Sequence, residues 1–305
     1  MPSDQAAGLR ALHSAATNPS VTAMSEKSKT MNQTVPKKQT PVRVLAVASG
    51  KGGVGKTNVS VNLGICLQKL GHRVLLLDAD MGLANVDIML GLQNRFNLSH
   101  VMDGKKTMHE VMIEGPAGLK IIPAASGVRR MAQLSAAENA GIIHAFSELS
   151  DELDILIIDT AAGIADSVVS FCRAAQEVLV VVTDEPASIT DAYALIKVLN
   201  RDYKVNRFRL IANMAKSPEH GRLLYKKLSA VTEQFLDISL DYFGAVPYDN
   251  QLKEAVQKQI PVTLYRPNSI AARSFGNMAS QVDRWPIPEG ASGYLQFFVE
   301  NLFQG

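Results

Sequence analysis

The sequence predicts an α/β fold, a doubly wound and mostly parallel sheet with helices on both faces. From residue 42 onward, short apolar runs alternate with stretches of helical periodicity, an order typical of parallel sheets. The composition agrees, because 47 % of the residues are hydrophobic and only 6 % are aromatic. Aliphatic residues are the usual material of strands buried on both faces. With 305 residues, the chain can hold one large domain of this kind or two small ones.

The individual elements follow from the apolar pattern. Seven runs predict strands, at residues 42–49, 74–77, 119–122, 155–158, 178–182, 210–212 and 242–246. Between the first two strands, four residues share one face of a predicted helix: Val59, Leu63, Leu67 and Leu70. Gly71 stands where the C-terminal cap of that helix is expected. No repeat or internal boundary divides this region.

The two ends of the chain differ from the core in composition. Residues 1–14 contain a short segment that can form one or two helical turns, which are marginal in isolation and need a partner. Residues 15–41 are rich in Ser, Thr, Ala and Lys and predict a flexible linker. We therefore expect one large α/β domain over residues 42–284, followed by a C-terminal amphipathic helix within residues 285–305.

The net charge, the cysteines and the lengths of the apolar runs argue against several classes of protein. A net charge of +2 gives no global reason to bind nucleic acid, so we expect no sequence-specific nucleic acid binding. Cys66 and Cys172 lie in apolar helical contexts, which indicates small buried hydrophobes rather than a disulfide or a metal site. No run approaches the roughly 18–20 apolar residues needed to span a bilayer, and no signal peptide pattern is present. These features predict a cytoplasmic protein.

A phosphate-binding loop follows the first predicted strand and precedes the first predicted helix. The loop has the sequence Gly50-Lys51-Gly52-Gly53-Val54-Gly55-Lys56-Thr57, which fits the P-loop pattern in its required context. Glycines let the backbone N–H groups close around phosphate oxygens, and the helix N-terminus adds positive potential. Lys56 is suited to the β- and γ-phosphates, and the Thr57 hydroxyl to Mg²⁺.

The second lysine of the loop is unusual. With Lys51 in place, the loop resembles the deviant Walker A motif of the MinD/ParA ATPases. That resemblance implies an ATP-dependent homodimer in which Lys51 contacts the phosphates bound to the other subunit. It also implies slow, regulatory hydrolysis of ATP to ADP and phosphate.

Carboxylates at two further strand ends fit the same family. A buried strand ends at Asp78 and Asp80, and another ends at Asp159, at the sheet edge where ligands bind in such folds. The resemblance assigns Asp80 to positioning of the attacking water and Asp159 to the Mg²⁺ shell. Asp78 supports either Mg²⁺ or the loop that follows it. Ala162-Gly163 would begin the second switch segment.

The adenine base of the nucleotide is expected to bind at the ends of later strands. The resemblance points to Asn213, whose amide can both donate to and accept from an adenine edge, and to Pro247. A turn-forming role for Asn213 is the competing interpretation. The complete predicted set for ATP or ADP is Gly50, Gly52, Gly53, Val54, Gly55, Lys56, Thr57, Asn58, Asn213 and Pro247. The predicted catalytic residues are Lys51, Lys56 and Asp80, and the predicted Mg²⁺ set is Thr57, Asp78 and Asp159.

The N-terminal segment distinguishes members of this family. The run Asp4-Gln5-Ala6-Ala7-Gly8-Leu9-Arg10 resembles the activator motif of the FlhG/FleN family of flagellar-number ATPases. In that family the motif docks on the SRP-type GTPase FlhF and stimulates its GTP hydrolysis. The resemblance therefore implies a partner surface at Asp4, Gln5, Leu9 and Arg10, in which the Gln5 amide orients the attacking water.

The C-terminal helix resembles the membrane-targeting helix of MinD and FlhG. Its predicted apolar face contains Leu295, Phe298, Val299 and Leu302. The helix has no Lys or Arg and carries Glu300, so anionic lipid gives it no electrostatic attraction. Two interpretations stay open, reversible membrane or partner binding and permanent docking on the domain.

The resemblance implies a further partner, the master transcription activator of flagellar genes. Residues 189–200 are one guess for that surface. The alternative function is a ParA/MinD-like positioning ATPase that acts on DNA or the division site. A small basic stripe would serve such DNA binding, and it consists of Lys216, Arg222, Lys226 and Lys227. A reductase resembling the nitrogenase iron protein would need bridging cysteines near the switches, and no usable pair is present.

Overall fold

The computed structural model describes residues 41–80, 86–93, 95–123, 136–287 and 295–303. The predicted N-terminal partner residues lie outside these ranges: Asp4, Gln5, Leu9 and Arg10.

The described strands form one eight-stranded sheet in the order β3-β4-β2-β5-β1-β6-β7-β8. Every neighbouring pair is parallel except β3 and β4, which are antiparallel. The strands are β1 (Arg43–Ser49), β2 (Val74–Ala79), β3 (Ile113–Glu114), β4 (Lys120–Pro123), β5 (Ile155–Ala162), β6 (Glu177–Val182), β7 (Arg207–Ala215) and β8 (Ser239–Pro247). The predicted doubly wound, mostly parallel sheet is confirmed.

Helices cover both faces of the sheet. They are α1 (Lys56–Lys69), α2 (Val86–Leu90), α3 (Leu98–Met102), α4 (Met108–Val111), α5 (Ala136–Glu148), α6 (Asp166–Ala174), α7 (Pro186–Tyr203), α8 (Pro218–Phe235), α9 (Asn250–Gln257), α10 (Val262–Tyr265), α11 (Ile270–Asp283) and α12 (Leu295–Phe303).

Strand β5 shows how the two layers are built. Ile155 and Ile157 pack in the cluster formed with α1 and α11. Leu156 and Ile158 point to the other face, in the cluster that includes residues of α5, α6 and α12. Because both faces are covered, the strand is a continuous apolar run rather than an alternating one.

All seven predicted strands are present, and most extend beyond their apolar runs. The two-residue strand β3 was missed because a piece so short carries no periodic signal. In α1, three of the four predicted face residues are fully buried, but Leu70 is exposed at the C-cap. Gly71 follows it with φ +96°, so its predicted capping role is confirmed. Both cysteines are free and buried, as expected for small apolar side chains.

The C-terminal helix α12 is docked on the domain. Leu295, Phe298 and Val299 are fully buried in the cluster with α5 and α6, and Leu302 packs beside them, partly buried. The guanidinium of Arg173, on α6, donates a 2.9 Å hydrogen bond to the carbonyl of Asn301 near the C-terminus of α12. The face that was predicted for membrane binding is thus covered in this conformation. Any membrane contact through it would require α12 to leave the domain.

Candidate nucleotide site

The phosphate loop lies at the C-terminal end of β1, the strand between β5 and β6. Gly53 and Gly55 have φ values of +77° and +90°, which L side chains rarely adopt. Gly55 is the N-cap of α1 and provides no side-chain cap, so the first N–H groups of the helix are left for an anion. The N–H of Gly163 donates to the carbonyl of Ser49 at 2.9 Å, which ties the segment after β5 to the start of the loop.

Two glycines of the loop are also required by packing. A Cβ built on Gly50 would lie 2.1 Å from the carbonyl group of Asp191 in α7. A Cβ on Gly55 would lie 2.4 Å from the side-chain nitrogen of Asn213. The loop therefore rests against α7 on one side and the end of β7 on the other.

A buried carboxylate, that of Asp159, lies next to Lys56 and Thr57 at the end of the loop. Asp159 is fully buried, and its Oδ1 accepts a 3.0 Å hydrogen bond from Ser60. Burial raises the pKa of Asp159 to about 6. A hydrogen bond from the Thr57 hydroxyl and the positive charge of Lys56 both lower this pKa, but their effect is smaller than that of burial. Its Oδ2 is buried without a hydrogen-bond partner, an arrangement that is costly unless another group binds there. Burial lowers the pKa of the Lys56 ammonium, and the charges of Asp159 and Asp80 oppose that shift.

The segment that carries Asp78 and Asp80 starts from β2, in register with β5. Asp78 is the direct Cα partner of Asp159 in the parallel pair. Its Oδ1 accepts from the N–H of Asp80 at 3.1 Å, and its Oδ2 accepts from the N–H of Val86 at 3.2 Å. Asp78 thus holds both ends of the segment between them. Both predicted roles of Asp78, toward Mg²⁺ and toward the loop that follows it, stay predictions.

Lys51 does not point into empty solvent. Its ammonium lies 2.5 Å from Oε2 of Glu185, the residue that precedes α7. Both side chains are substantially exposed, at 38 % and 59 %. The lysine predicted to act on another subunit is therefore held by an ion pair within its own chain.

The two residues that were predicted to contact the adenine base lie near the ends of neighbouring strands. Asn213 is buried in β7, and its side-chain nitrogen donates to the carbonyl of Val54 at 2.7 Å. Its Oδ1 is buried without a partner. Pro247 ends β8 beside it, paired with Ala215. Asn213 supports the phosphate loop from below, and its buried amide oxygen makes no hydrogen bond in this conformation.

The donor set fits a magnesium nucleotide. No cluster of three or more His, Cys, Asp or Glu side chains that could hold a metal occurs among the described residues. A cation here would depend on Thr57, Asp159, phosphate oxygens and water, which is the way Mg²⁺ usually binds beside nucleotides. The unpartnered Oδ2 of Asp159 and the uncapped N-terminus of α1 are consistent with that.

Sequence reasoning missed two contributors to the site. Ser60 lies four residues after Lys56, so the helical period places it over the same turn, and this spacing was the available signal. Glu185 is separated from Lys51 by 134 positions. No local pattern in the sequence connects them.

A mostly parallel sheet with a glycine loop between β1 and α1, and a buried Asp within the neighbouring strand β5, defines a P-loop NTPase. A family model described as "ParA: NUBPL iron-transfer P-loop NTPase" matches residues 40–283. The chain belongs to this ParA/MinD family of P-loop NTPases, whose members are ATPases.

Two curated relatives cover most of the chain. It is 58 % identical over 264 residues to the protein called antiactivator FleN of Pseudomonas aeruginosa, covering 87 % of this chain and 94 % of that protein. It is 36 % identical over 265 residues to the flagellum site-determining protein YlxH of Helicobacter pylori, covering 85 % of this chain and 90 % of that protein.

Solved structures share the fold. The septum site-determining protein MinD of Pyrococcus horikoshii, complexed with Mg-ADP, gives a TM-score of 0.63 at 23 % identity over 80 % of this chain and 96 % of that one. The MinC:MinD cell division protein complex of Aquifex aeolicus contains a chain with a TM-score of 0.63 at 27 % identity, covering 82 % and 99 %.

Among the described helices, none combines the length and apolar character needed to cross a membrane.

Proposed function

We propose that this protein is an ATP-dependent, dimerising switch ATPase that regulates flagellar number and placement. The observation that carries the proposal is the 58 % identity to antiactivator FleN across 94 % of that protein's length. The similarity to YlxH, named as a flagellum site-determining protein, points the same way. The phosphate loop, Asp159 and Asn213 provide the nucleotide site that such a switch needs.

Hydrolysis of ATP requires the protein to position the reactants and stabilise charge, with little covalent chemistry by its side chains. Water attacks the γ-phosphorus of ATP, the bond to the β–γ bridging oxygen breaks, and ADP and inorganic phosphate leave. Lys56 and the N-terminus of α1 bind the phosphate oxygens, and Asp80 orients the water. Thr57 and Asp159 would hold Mg²⁺, which neutralises phosphate charge when bound.

The switch resides in the two segments that leave β2 and β5. Asp78 anchors the first at its two ends, and the Gly163 N–H joins the second to β1. ATP and ADP differ in the contacts they offer these segments, so each favours a different conformation. In the ATP state Lys51 leaves Glu185 and contacts the phosphates of a second copy, which makes the active form a homodimer.

Three interactions complete the proposal. The N-terminal residues Asp4, Gln5, Leu9 and Arg10 stimulate the SRP-type GTPase FlhF. A surface of the ATPase domain restrains the master transcription activator of flagellar genes. Release of α12 exposes Leu295 and its neighbours for reversible contact with the inner face of the cell membrane.

The second candidate is a positioning ATPase that acts on DNA or the division site. The specific observation in its favour is the 27 % identity to a chain of the MinC:MinD complex over 82 % of this protein.

One experiment separates the two candidates. GTP hydrolysis by the cognate FlhF is measured with full-length protein, with the protein lacking residues 1–14, and with the full-length Gln5→Ala variant. We expect stimulation by the intact chain and its loss in both variants, while ATP hydrolysis by all three proteins is unchanged. No stimulation by the intact chain would remove the FlhF interaction and make the positioning ATPase the leading reading of the function.

A further inference from the structure

Strand β7 contains a left-handed residue at a place where strands do not normally have one. Among the described residues, four that are not glycine have a positive φ: Ala117, Lys204, Met214 and Gln259. Ala117 lies in a 3₁₀ turn, and Lys204 and Gln259 follow the last turns of α7 and α9. Turns and helix ends are ordinary places for this conformation. Met214, with φ +53°, lies inside β7 instead, where a bulky left-handed residue is an outlier.

A β-bulge accounts for the unusual backbone of Met214. Asn213 pairs with Val246 of β8, and Ala215 pairs with the next residue of that strand, so Met214 between them has no partner in β8. Bulges with a left-handed residue usually have glycine there, because a Cβ is strained in that region. A methionine at this position keeps a side chain at a cost in backbone strain, and such strain is concentrated at functional sites.

The bulge turns the Met214 side chain toward the phosphate loop. Consecutive side chains of a regular strand point to opposite faces of the sheet. Here two consecutive side chains approach the same loop residue. A Cβ built on Gly55 would lie 2.4 Å from the side-chain nitrogen of Asn213 and 3.7 Å from the Cε methyl group of Met214. Asn213 is buried and its Oδ1 has no hydrogen-bond partner, whereas Met214 is 46 % exposed.

The chemistry of the thioether indicates which part of a nucleotide it can contact. A methionine side chain offers phosphate neither a charge nor an N–H donor, whereas the N–H groups of the loop and the Lys56 ammonium offer both. Its polarisable sulfur and its methyl group instead pack well against an aromatic ring. Met214 adjoins the loop, which is the phosphate site, and also Asn213, the predicted contact of the base. The base and the ribose are therefore the parts of a nucleotide that suit it.

We propose that Met214 is a nucleotide-binding residue, whose side chain the β7 bulge aims at the base and ribose of the nucleotide held by the phosphate loop. This inference rests on the proposed function, because it concerns the nucleotide of the same site. Contact with the nucleotide covers a half-exposed apolar side chain, and this burial offsets the backbone strain. An apolar contact accepts any purine ring, so it adds affinity without distinguishing adenine from guanine. That distinction requires hydrogen bonds, for which the Asn213 amide is suited.

The test compares ligands with and without a base, by isothermal titration of the full-length protein in the presence of Mg²⁺. The ligands are non-hydrolysable analogues of ATP and GTP, and inorganic tripolyphosphate, which has the phosphate chain alone. Met214→Ala keeps the Cβ at the bulge and removes the apolar group. It should weaken binding of both analogues about fivefold and leave tripolyphosphate binding unchanged. Met214→Leu keeps an apolar side chain of similar size and should retain most of the affinity.

A glycine variant separates nucleotide binding from folding. Glycine adopts a positive φ without strain. Met214→Gly should therefore bind the ATP analogue as weakly as Met214→Ala does, although its melting temperature without nucleotide is equal to that of Met214→Ala or higher. Lys204→Gly is the matched control. It relieves the same backbone conformation at the C-terminal end of α7, and it should leave the affinity for the ATP analogue unchanged.

Four results would contradict the assignment, each in a different way. Unchanged affinity for the ATP analogue in Met214→Ala and Met214→Gly would show that the side chain does not touch the nucleotide. An equal loss of tripolyphosphate binding would show that Met214 supports the loop instead. Normal nucleotide binding with loss of the ATP-dependent dimer in sedimentation would assign Met214 to the contact with a second copy. An unmodified protein that binds neither analogue would overturn the proposed function, and the role of Met214 with it.

Discussion

The ammonium of Lys51 lies 2.5 Å from the carboxylate of Glu185, across the gap between the phosphate loop and the start of α7. The contact connects the loop with the segment that follows β6. If Lys51 acts on a second subunit, this ion pair has to break before the dimer closes.

Removing the carboxylate should make dimerisation easier. In a Glu185→Gln variant we expect the dimer to form at a two- to fivefold lower concentration of a non-hydrolysable ATP analogue, because about 1 kcal/mol or less is the usual contribution of an exposed pair. Analytical ultracentrifugation measures the effect. Lys51→Ala is the control and should abolish the dimer, whereas an unchanged midpoint in Glu185→Gln would show that the pair does not restrain Lys51.

Two glycines of the loop allow a matched comparison. Both Gly53 and Gly55 have positive φ, so alanine at either costs roughly 1–2 kcal/mol of backbone strain. A Cβ at Gly53 meets nothing within 4 Å, but at Gly55 it meets the Asn213 amide at 2.4 Å. We expect Gly55→Ala to lower the melting temperature and the ATP affinity well beyond Gly53→Ala, in thermal melts and nucleotide titrations. Equal losses of melting temperature and ATP affinity in the two variants would mean that backbone strain alone causes them.

Part of the fold and of the site could be predicted from the sequence, and part could not. The strands, the loop and Asp159 could be predicted because their signals are local: apolar runs, glycine spacing and a carboxylate at a strand end. The partner of Lys51 could not, since Glu185 is brought to it only by the order of β1 and β6 in the sheet. The covered face of α12 is a similar case. Its apolar period fits a membrane and a domain surface equally well, and only the tertiary contacts with α5 and α6 distinguish them.

Arg173 offers a way to decide between the two interpretations of α12. Its hydrogen bond to the Asn301 carbonyl ties the end of the helix to α6. We expect Arg173→Ala to loosen α12 and to increase cosedimentation with vesicles of phosphatidylcholine, since anionic lipid adds no attraction. Phe298→Ser in the same background should remove the vesicle binding. A lower melting temperature without any vesicle binding would instead assign α12 a purely structural role.

The two cysteines should be inert in the folded protein. Burial raises the pKa of Cys66 to about 11 and that of Cys172 to about 12. At pH 8 the reactive thiolate of Cys66 is then about one part in a thousand, and access is restricted as well. We expect almost no reaction with Ellman's reagent in the native state and two equivalents after denaturation with guanidinium chloride. Rapid reaction of one thiol in the native state would show that its helix opens locally.

The last prediction concerns the two roles open to Asn213. Its side-chain nitrogen supports the carbonyl of Val54, and its buried Oδ1 has no partner. If that oxygen accepts a hydrogen bond from the amino group of adenine, it discriminates against guanine, which presents a carbonyl at the same position. Asn213→Ala should then lower the affinity for ATP more than that for GTP, in addition to a loss of roughly 1 kcal/mol in stability from the broken hydrogen bond. Isothermal titration with both nucleotides gives the ratio of affinities. A purely structural asparagine would lower both affinities by the same factor, because a displaced loop affects the shared phosphates and not the base.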